Sequence, residues 1–177
     1  PAQPPGVMVT SADLSAYTWP ESKGTDRYRR GMYTYFWRKS PHPNLMVFNS
    51  PDAFTTATSR DRANTPLQAL TLLNDTGFHE FAQGLAKRVL SERPEASNHD
   101  RIEHLFQLCL TRPPQKLEKD RIDLLLARQL DDFRTNPSEA FEILTLPNVN
   151  GADLPEIAAW TMVGAVILNL DEFITRE

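Results

Sequence analysis

The residues best suited to chemistry crowd into one stretch, "DRYRRGMYTYFWRKSPHPN", Asp26 to Asn44, where Arg27, Arg29, Arg30, Arg38 and His42 are interleaved with Tyr28, Tyr33, Tyr35 and Trp37. Arginine presents a planar fork of donors that fits carboxylate, sulfate or phosphate. Aromatic faces stack on sugars or bases, so the mixture can grip an anionic polymer. Arg60 and Arg62 extend the basic set downstream. The candidate ligand-binding residues are therefore Arg29, Arg30, Trp37, His42, Arg60 and Arg62, and the ligand class is an acidic or sulfated polysaccharide. The competing reading is that these arginines pair with acids of the remaining chain. Residues 1–66 carry eight Lys or Arg against five Asp or Glu, whereas the remainder carries eleven against eighteen.

Other chemistry is thin. His42, His79, His99 and His104 never fall at the i, i+4 spacing that sets two imidazoles on one helix face, and "HEFAQ" lacks the second His of a zinc-protease helix. "NVNGAD" resembles a calcium loop only faintly, because Leu146 and Ile157 stand where carboxylates belong. Cys109, the single cysteine, permits no internal disulfide and no cysteine metal site. It falls on the apolar face of a helix pattern, where burial quiets a thiol. Asp131 with Asp132, and Asp171 with Glu172, are neighbours in sequence and so point about 100° apart on a helix, unlike a general acid and base set across a cleft. No nucleophile elbow, dinucleotide fingerprint or phosphate loop occurs. The reading is accordingly no metal, no catalytic residue and no cofactor in this chain.

What must position these residues is a set of helices with clear punctuation. In "RANTPLQALTLLND", Thr65 suits an N-cap, Pro66 sits at the first helical position and Gln68 completes a capping-box spacing. Thr76 is placed to cap a second helix carrying Phe78, Phe81, Ala82, Leu85 and Val89. Ile102, Leu105, Phe106, Cys109 and Leu110 recur at helical spacing until Arg112-Pro113-Pro114 stops them. A short connection then predicts an antiparallel fourth helix, about Leu117 to Arg134. Asn136 caps the next helix, which begins at Pro137, and the apolar run from Asp153 or Leu154 to Leu168 reads as a buried core helix. Asn64, Asn74, Asp75, Asn169 and Asp171 sit at helix ends, where capping is favoured over ligand binding. Upstream, "DRYRRGMYTYFWRKS" suits a short strand, with Arg27, Arg30 and Phe36 equally able to lie along a helix, and "LMVFNS" suits a pairing strand. The expected fold is mainly α, a single bundle-like domain of five to six helices, with residues 1–26 an extended linker-like segment, 27–177 the helical domain, and room for a short β-hairpin.

The composition, 40% hydrophobic and 24% charged, is that of a globular domain with a real core. A net charge of −4 argues against a dedicated nucleic-acid binder. The longest apolar run is shorter than the roughly 20 residues of a membrane-spanning helix. The start "PAQPPG", without Met, is expected to be a linker, which makes the chain a piece of something longer.

Four blocks in order, "DRYRRGMYTYFWRKSPHPNLMVFNSPD", "RANTPLQALTLLND", "RIEHLFQLCLTRPP" and "AAWTMVGAVILNLDEFITRE", resemble the planctomycete-specific domain, also called domain of unknown function 1553, from about residue 17 to the C-terminus. The chain looks like the C-terminal part of that domain, without the family's earlier Asn-Arg-x-Trp stretch. The resemblance implies a large exported bacterial parent whose front carries a cytochrome-c-like domain, hence an extracytoplasmic location, upstream domains of the same chain as partners, and haem c elsewhere in the parent. It supplies no catalytic residues. Three functions are carried forward. The first is a non-catalytic structural or binding module, the second an anionic-polysaccharide binder. The third is one wall of the active site of a parent oxidoreductase acting on carbohydrate, with His42 and Asp75 as its test positions.

Overall fold

In a computed structural model of the chain, the structure describes residues 21–36, 41–52, 54–59, 63–145 and 153–175. Among them are two 3₁₀ turns and eight α-helices, and no strand. The chain divides into two compact units, Pro1–Thr71 and Leu72–Glu177, with the boundary inside one helix.

The first unit corrects the expected hairpin. Gly24–Tyr28 and Gly31–Tyr33 form 3₁₀ turns, separated by Arg29 and Arg30 in extended conformation. Asn44 to Val47 of "LMVFNS" and its approach belong to helix α1, Pro43–Val47. The aromatic, β-favouring composition loses to local turn chemistry. Gly24 takes φ +59°, a left-handed conformation that glycine reaches without strain, and Pro43 occupies the first helical position with the His42 side chain as its cap. His42 Nδ1 accepts from the Asn44 N–H at 3.2 Å. The turn bearing Gly31 lies hard against α1, since a Cβ at Gly31 would stand 3.0 Å from the Leu45 side chain.

Helix α2, Pro66–Asn74, starts on the expected capping box. The Thr65 N–H donates to Gln68 Oε1 at 2.9 Å, and the Gln68 N–H donates to Thr65 Oγ1 at 3.2 Å. Gln68 is also buried, and its Nε2 donates to the Val47 carbonyl at 2.9 Å, which ties α2 to the end of α1.

The second unit holds α3 (Thr76–Glu92), α4 (Asn98–Leu110), α5 (Lys116–Thr135), α6 (Pro137–Ile143), α7 (Leu154–Leu168) and α8 (Asp171–Ile174). Two caps differ from expectation. Asp75, not Thr76, caps α3, its Oδ1 accepting from the Gly77 N–H at 2.9 Å, and a carboxylate there also meets the positive end of the helix dipole. Asn136 makes no side-chain capping bond, so α6 begins on Pro137 alone. Helix α4 ends at Thr111, which turns left-handed at φ 58° before the two prolines. Helices α4 and α5 then run antiparallel: Arg112 meets Glu118, Glu103 meets Lys119 and His99 meets Asp123, one index falling as the other rises.

Helix α7 is apolar around most of its circumference and packs on α3, α4, α5, α6 and α8, as an all-round hydrophobic helix must. Trp160, Val163 and Ile167 are buried there with Ile102, Phe106 and Leu126. Small residues let α3 approach: a Cβ on Gly164 would lie 3.1 Å from the Ala82 carbonyl oxygen. The buried Thr161 hydroxyl donates to Ile157 O at 2.7 Å, so it adds no unmet polar group to the core. Among the described residues no helix is long and apolar enough to cross a membrane.

Candidate functional site

The basic aromatic turns of the first unit present their side chains outward. Tyr33 and Tyr35 are each 62% exposed, Met32 73% and Tyr28 40%. The Arg29 Nε donates to Asp26 Oδ1 at 2.8 Å while its guanidinium carbon stands 5.8 Å from the centre of the Tyr33 ring. Arg27 stands 5.9 Å from the Tyr28 ring centre and pairs with Glu21 at 3.8 Å. Arg30 is exposed and has no ion pair among the described residues. Glu21 and Asp26, the acids beside Arg27 and Arg29, belong to the same short segment.

His42 stands apart from this surface. It is 1% exposed and its ring nitrogen caps α1, which is a structural use of imidazole. Trp37, Arg60 and Arg62 lie outside the described residues. Of the six candidate ligand residues, the structure brings Arg29 and Arg30 onto one exposed stretch and sets His42 inside.

In the second unit the polar side chains with the strongest interactions hold elements together. Arg112 is the largest node. Its Nη2 donates to Glu118 Oε1 at 2.8 Å and to Glu172 Oε2 at 2.6 Å, and its guanidinium carbon lies 5.6 Å from the Phe106 ring centre. Hydrogen bonds from Arg112 hold both the Glu118 and Glu172 carboxyls below the usual glutamate range. Arg101, 8% exposed, donates to Glu156 at 2.8 Å and to the Arg93 and Pro94 carbonyls at 2.9 and 2.6 Å, fixing α7 to the turn before α4. His104 Nε2 lies 2.6 Å from Glu92, whose carboxyl is held low first by Arg88 and then by His104. Burial pushes the Cys109 thiol up to about 11, so at neutral pH it is a thiol and not a nucleophile.

The chain belongs to the PSD1 family, described as a protein of unknown function (DUF1553). The family match covers residues 2–126, which takes in three of the four sequence blocks and leaves "AAWTMVGAVILNLDEFITRE" outside it. No curated protein and no solved structure matches the chain. Two pieces of this DUF1553 chain acquire a structural meaning within the matched span. "RANTPLQALTLLND" is a capped helix start, and "RIEHLFQLCLTRPP" carries Arg101 and Arg112, the two clamps of the second unit.

A shallow groove of about 410 Å³ runs along α5, lined by Asn98, Asp123, Leu126, Leu130, Asp131 and Arg134 among others. Its acids do not form an acid-base pair. Asp123 and Asp131 are eight residues apart on one helix, roughly 12 Å along the axis, and His99 lies 3.3 Å from Asp123 alone. Among the described residues no group of three His, Cys, Asp or Glu could hold a metal ion.

Sequence reasoning missed Arg101 and Arg112 because their partners are 55 and 60 positions away in the chain. It also missed an inversion on α2. Gln68 is 2% exposed, whereas Leu67, Leu70 and Leu73 are 58%, 57% and 48% exposed. Spacing shows that Leu67, Leu70 and Leu73 share a face, but not which way that face turns.

Proposed function

We propose that this chain is a non-catalytic structural module of an exported, multidomain bacterial protein, and that another domain of the parent covers the leucine face of α2. The observation that carries the reading is the inversion of that helix. Burying a leucine side chain completely is worth on the order of 2 kcal/mol, yet α2 leaves Leu67, Leu70 and Leu73 only partly covered and draws an uncharged amide inward. Leu72, 8% exposed, already serves the chain's own core, so the three further leucines held outward give α2 a second apolar surface to meet. The nine residues of α2 include no charge, so burying the face desolvates none. The side chains with reactive potential support the non-catalytic part of the reading: His42 caps α1, His79 binds the Ile143 carbonyl, and Cys109 is a half-buried thiol pushed up by burial. The exported setting and a haem-bearing domain in the parent rest on the family resemblance.

The test compares Leu67→Gln/Leu70→Gln in this chain and in the full-length parent, by thermal unfolding and limited proteolysis. The chain alone should keep its midpoint, because both leucines are exposed. The parent should lose stability or gain a cleavage site between domains. An unchanged parent would show that no domain covers α2 and would remove the reading.

A further inference from the structure

We infer that the paired 3₁₀ turns of the first unit form a binding platform for an acidic polysaccharide, with Tyr33 and Tyr35 as stacking faces and Arg29 and Arg30 as the anion-binding forks. The inference rests on the reading of the chain as a non-catalytic module and names the ligand of a different surface from α2. Three observations carry it. Two tyrosines 62% exposed and a methionine 73% exposed stand within four residues, a concentration of apolar area that water does not favour. The Arg29 guanidinium already lies over the Tyr33 ring, which orients the fork beside the aromatic face, and Arg30 has no ion pair among the described residues. The turn that bears Tyr33 is seated on α1 through the close approach of Gly31 to Leu45, so that ring projects from a backed turn.

Charge and shape select the ligand class. Between Glu21 and Phe36 there are four cationic side chains and two acidic ones, an excess too small for the many phosphate contacts that dominate nucleic-acid binding, on a chain of net charge −4. A sugar ring offers a flat C–H face to tyrosine and carries its carboxylate or sulfate at the edge, where a guanidinium can donate to it as a fork-to-fork pair. Two forks followed by two rings along this segment supply both the face and the edge contacts.

The experiment is titration of the 177-residue chain with polygalacturonate, dextran sulfate and neutral dextran at low and moderate salt, with duplex DNA as a further arm. Either acidic polymer should bind, neutral dextran should not, and salt should weaken the interaction. The tighter of the two names the anionic group as carboxylate or sulfate. Arg29→Glu/Arg30→Glu should lower affinity by at least about tenfold, the scale of losing charge-assisted hydrogen bonds. Tyr33→Ala/Tyr35→Ala should weaken binding severalfold at unchanged salt dependence. Absence of binding to both acidic polymers overturns the inference. So does binding that is indifferent to the tyrosines or equally tight for DNA, since that is polyanion attraction without a sugar platform. Leu67→Gln/Leu70→Gln should leave the titration unchanged, which keeps failure here distinct from failure of the α2 reading.

Discussion

His79 Nε2 lies 2.7 Å from the carbonyl oxygen of Ile143, sixty-four residues along the chain. One helical turn further on α3, the buried Gln83 accepts from the Thr145 N–H at 3.1 Å. The two side chains at i and i+4 thus catch backbone groups two residues apart where α6 ends. The Ile143 carbonyl is one of those a terminating helix leaves without an internal partner, and the Thr145 N–H lies just past the helix end. This α3 face thus supports the end of α6.

Removing this support should loosen α6 locally. His79→Phe/Gln83→Leu is expected to accelerate amide hydrogen exchange across Pro137–Ile143 well beyond any change in α4 or α5. Equal acceleration in all the helices would mean that the pair contributes to global stability only.

Two glycines should respond to alanine in opposite directions. At Gly164 a new Cβ would meet the Ala82 backbone at 3.1 Å, so Gly164→Ala should destabilise by about 1–3 kcal/mol through overpacking. A Cβ at Gly84, exposed on α3, meets nothing within 4 Å. Gly84→Ala should stabilise by about 0.5–1 kcal/mol, the helical preference of alanine over glycine. Chemical denaturation of both variants checks the contrast.

The start of α2 supplies a graded pair. Thr65→Ala should cost about 1 kcal/mol as a lost N-cap. Gln68→Ala should cost more, about 2 kcal/mol, because it strands the Thr65 N–H and the Val47 carbonyl together. Equal costs for the two substitutions would show that the bond to Val47 contributes nothing.

Acid should unfasten the Arg112 clamp. Glu118 and Glu172 have carboxyls held below their ordinary value of 4.5. A depressed folded-state value contributes stability that is fully present above the unfolded value and is lost as pH falls through the folded one. Stability should therefore be flat in this respect near neutrality and decline below about pH 4.5, and Arg112→Met should flatten that acid limb. An unaltered acid limb in the variant would place the acid sensitivity elsewhere, for example at Asp100, whose carboxyl the Ser97 hydroxyl holds low.

Cys109 should react slowly in the native protein. With the thiol pushed up to about 11 by burial, alkylation at pH 8 is expected to be far slower folded than in denaturant. Comparable rates would show that the α4 face opens readily.

What the sequence determined by itself is the part of the fold written in local chemistry. The capping box of Thr65 and Gln68, the stop at Arg112-Pro113-Pro114, the start at Pro137 and the apolar run of α7 each depend on residues within a few positions of one another. Those interactions are settled by backbone geometry and helical periodicity, so they are readable in one dimension. Where two local signals competed, reading failed: β-favouring aromatics around Tyr33 suggested a strand, but turns and the His42-Pro43 start prevailed. Only tertiary structure decided which polar groups became structural and which stayed available. Arg101 and Arg112 found acids 55 and 60 residues away, Gln68 went inward while Leu67 and Leu70 went outward, and His42 was buried as Arg29 and Arg30 stayed at the surface. Burial and ion pairing depend on which segments meet in space, and spacing along the chain does not contain that information.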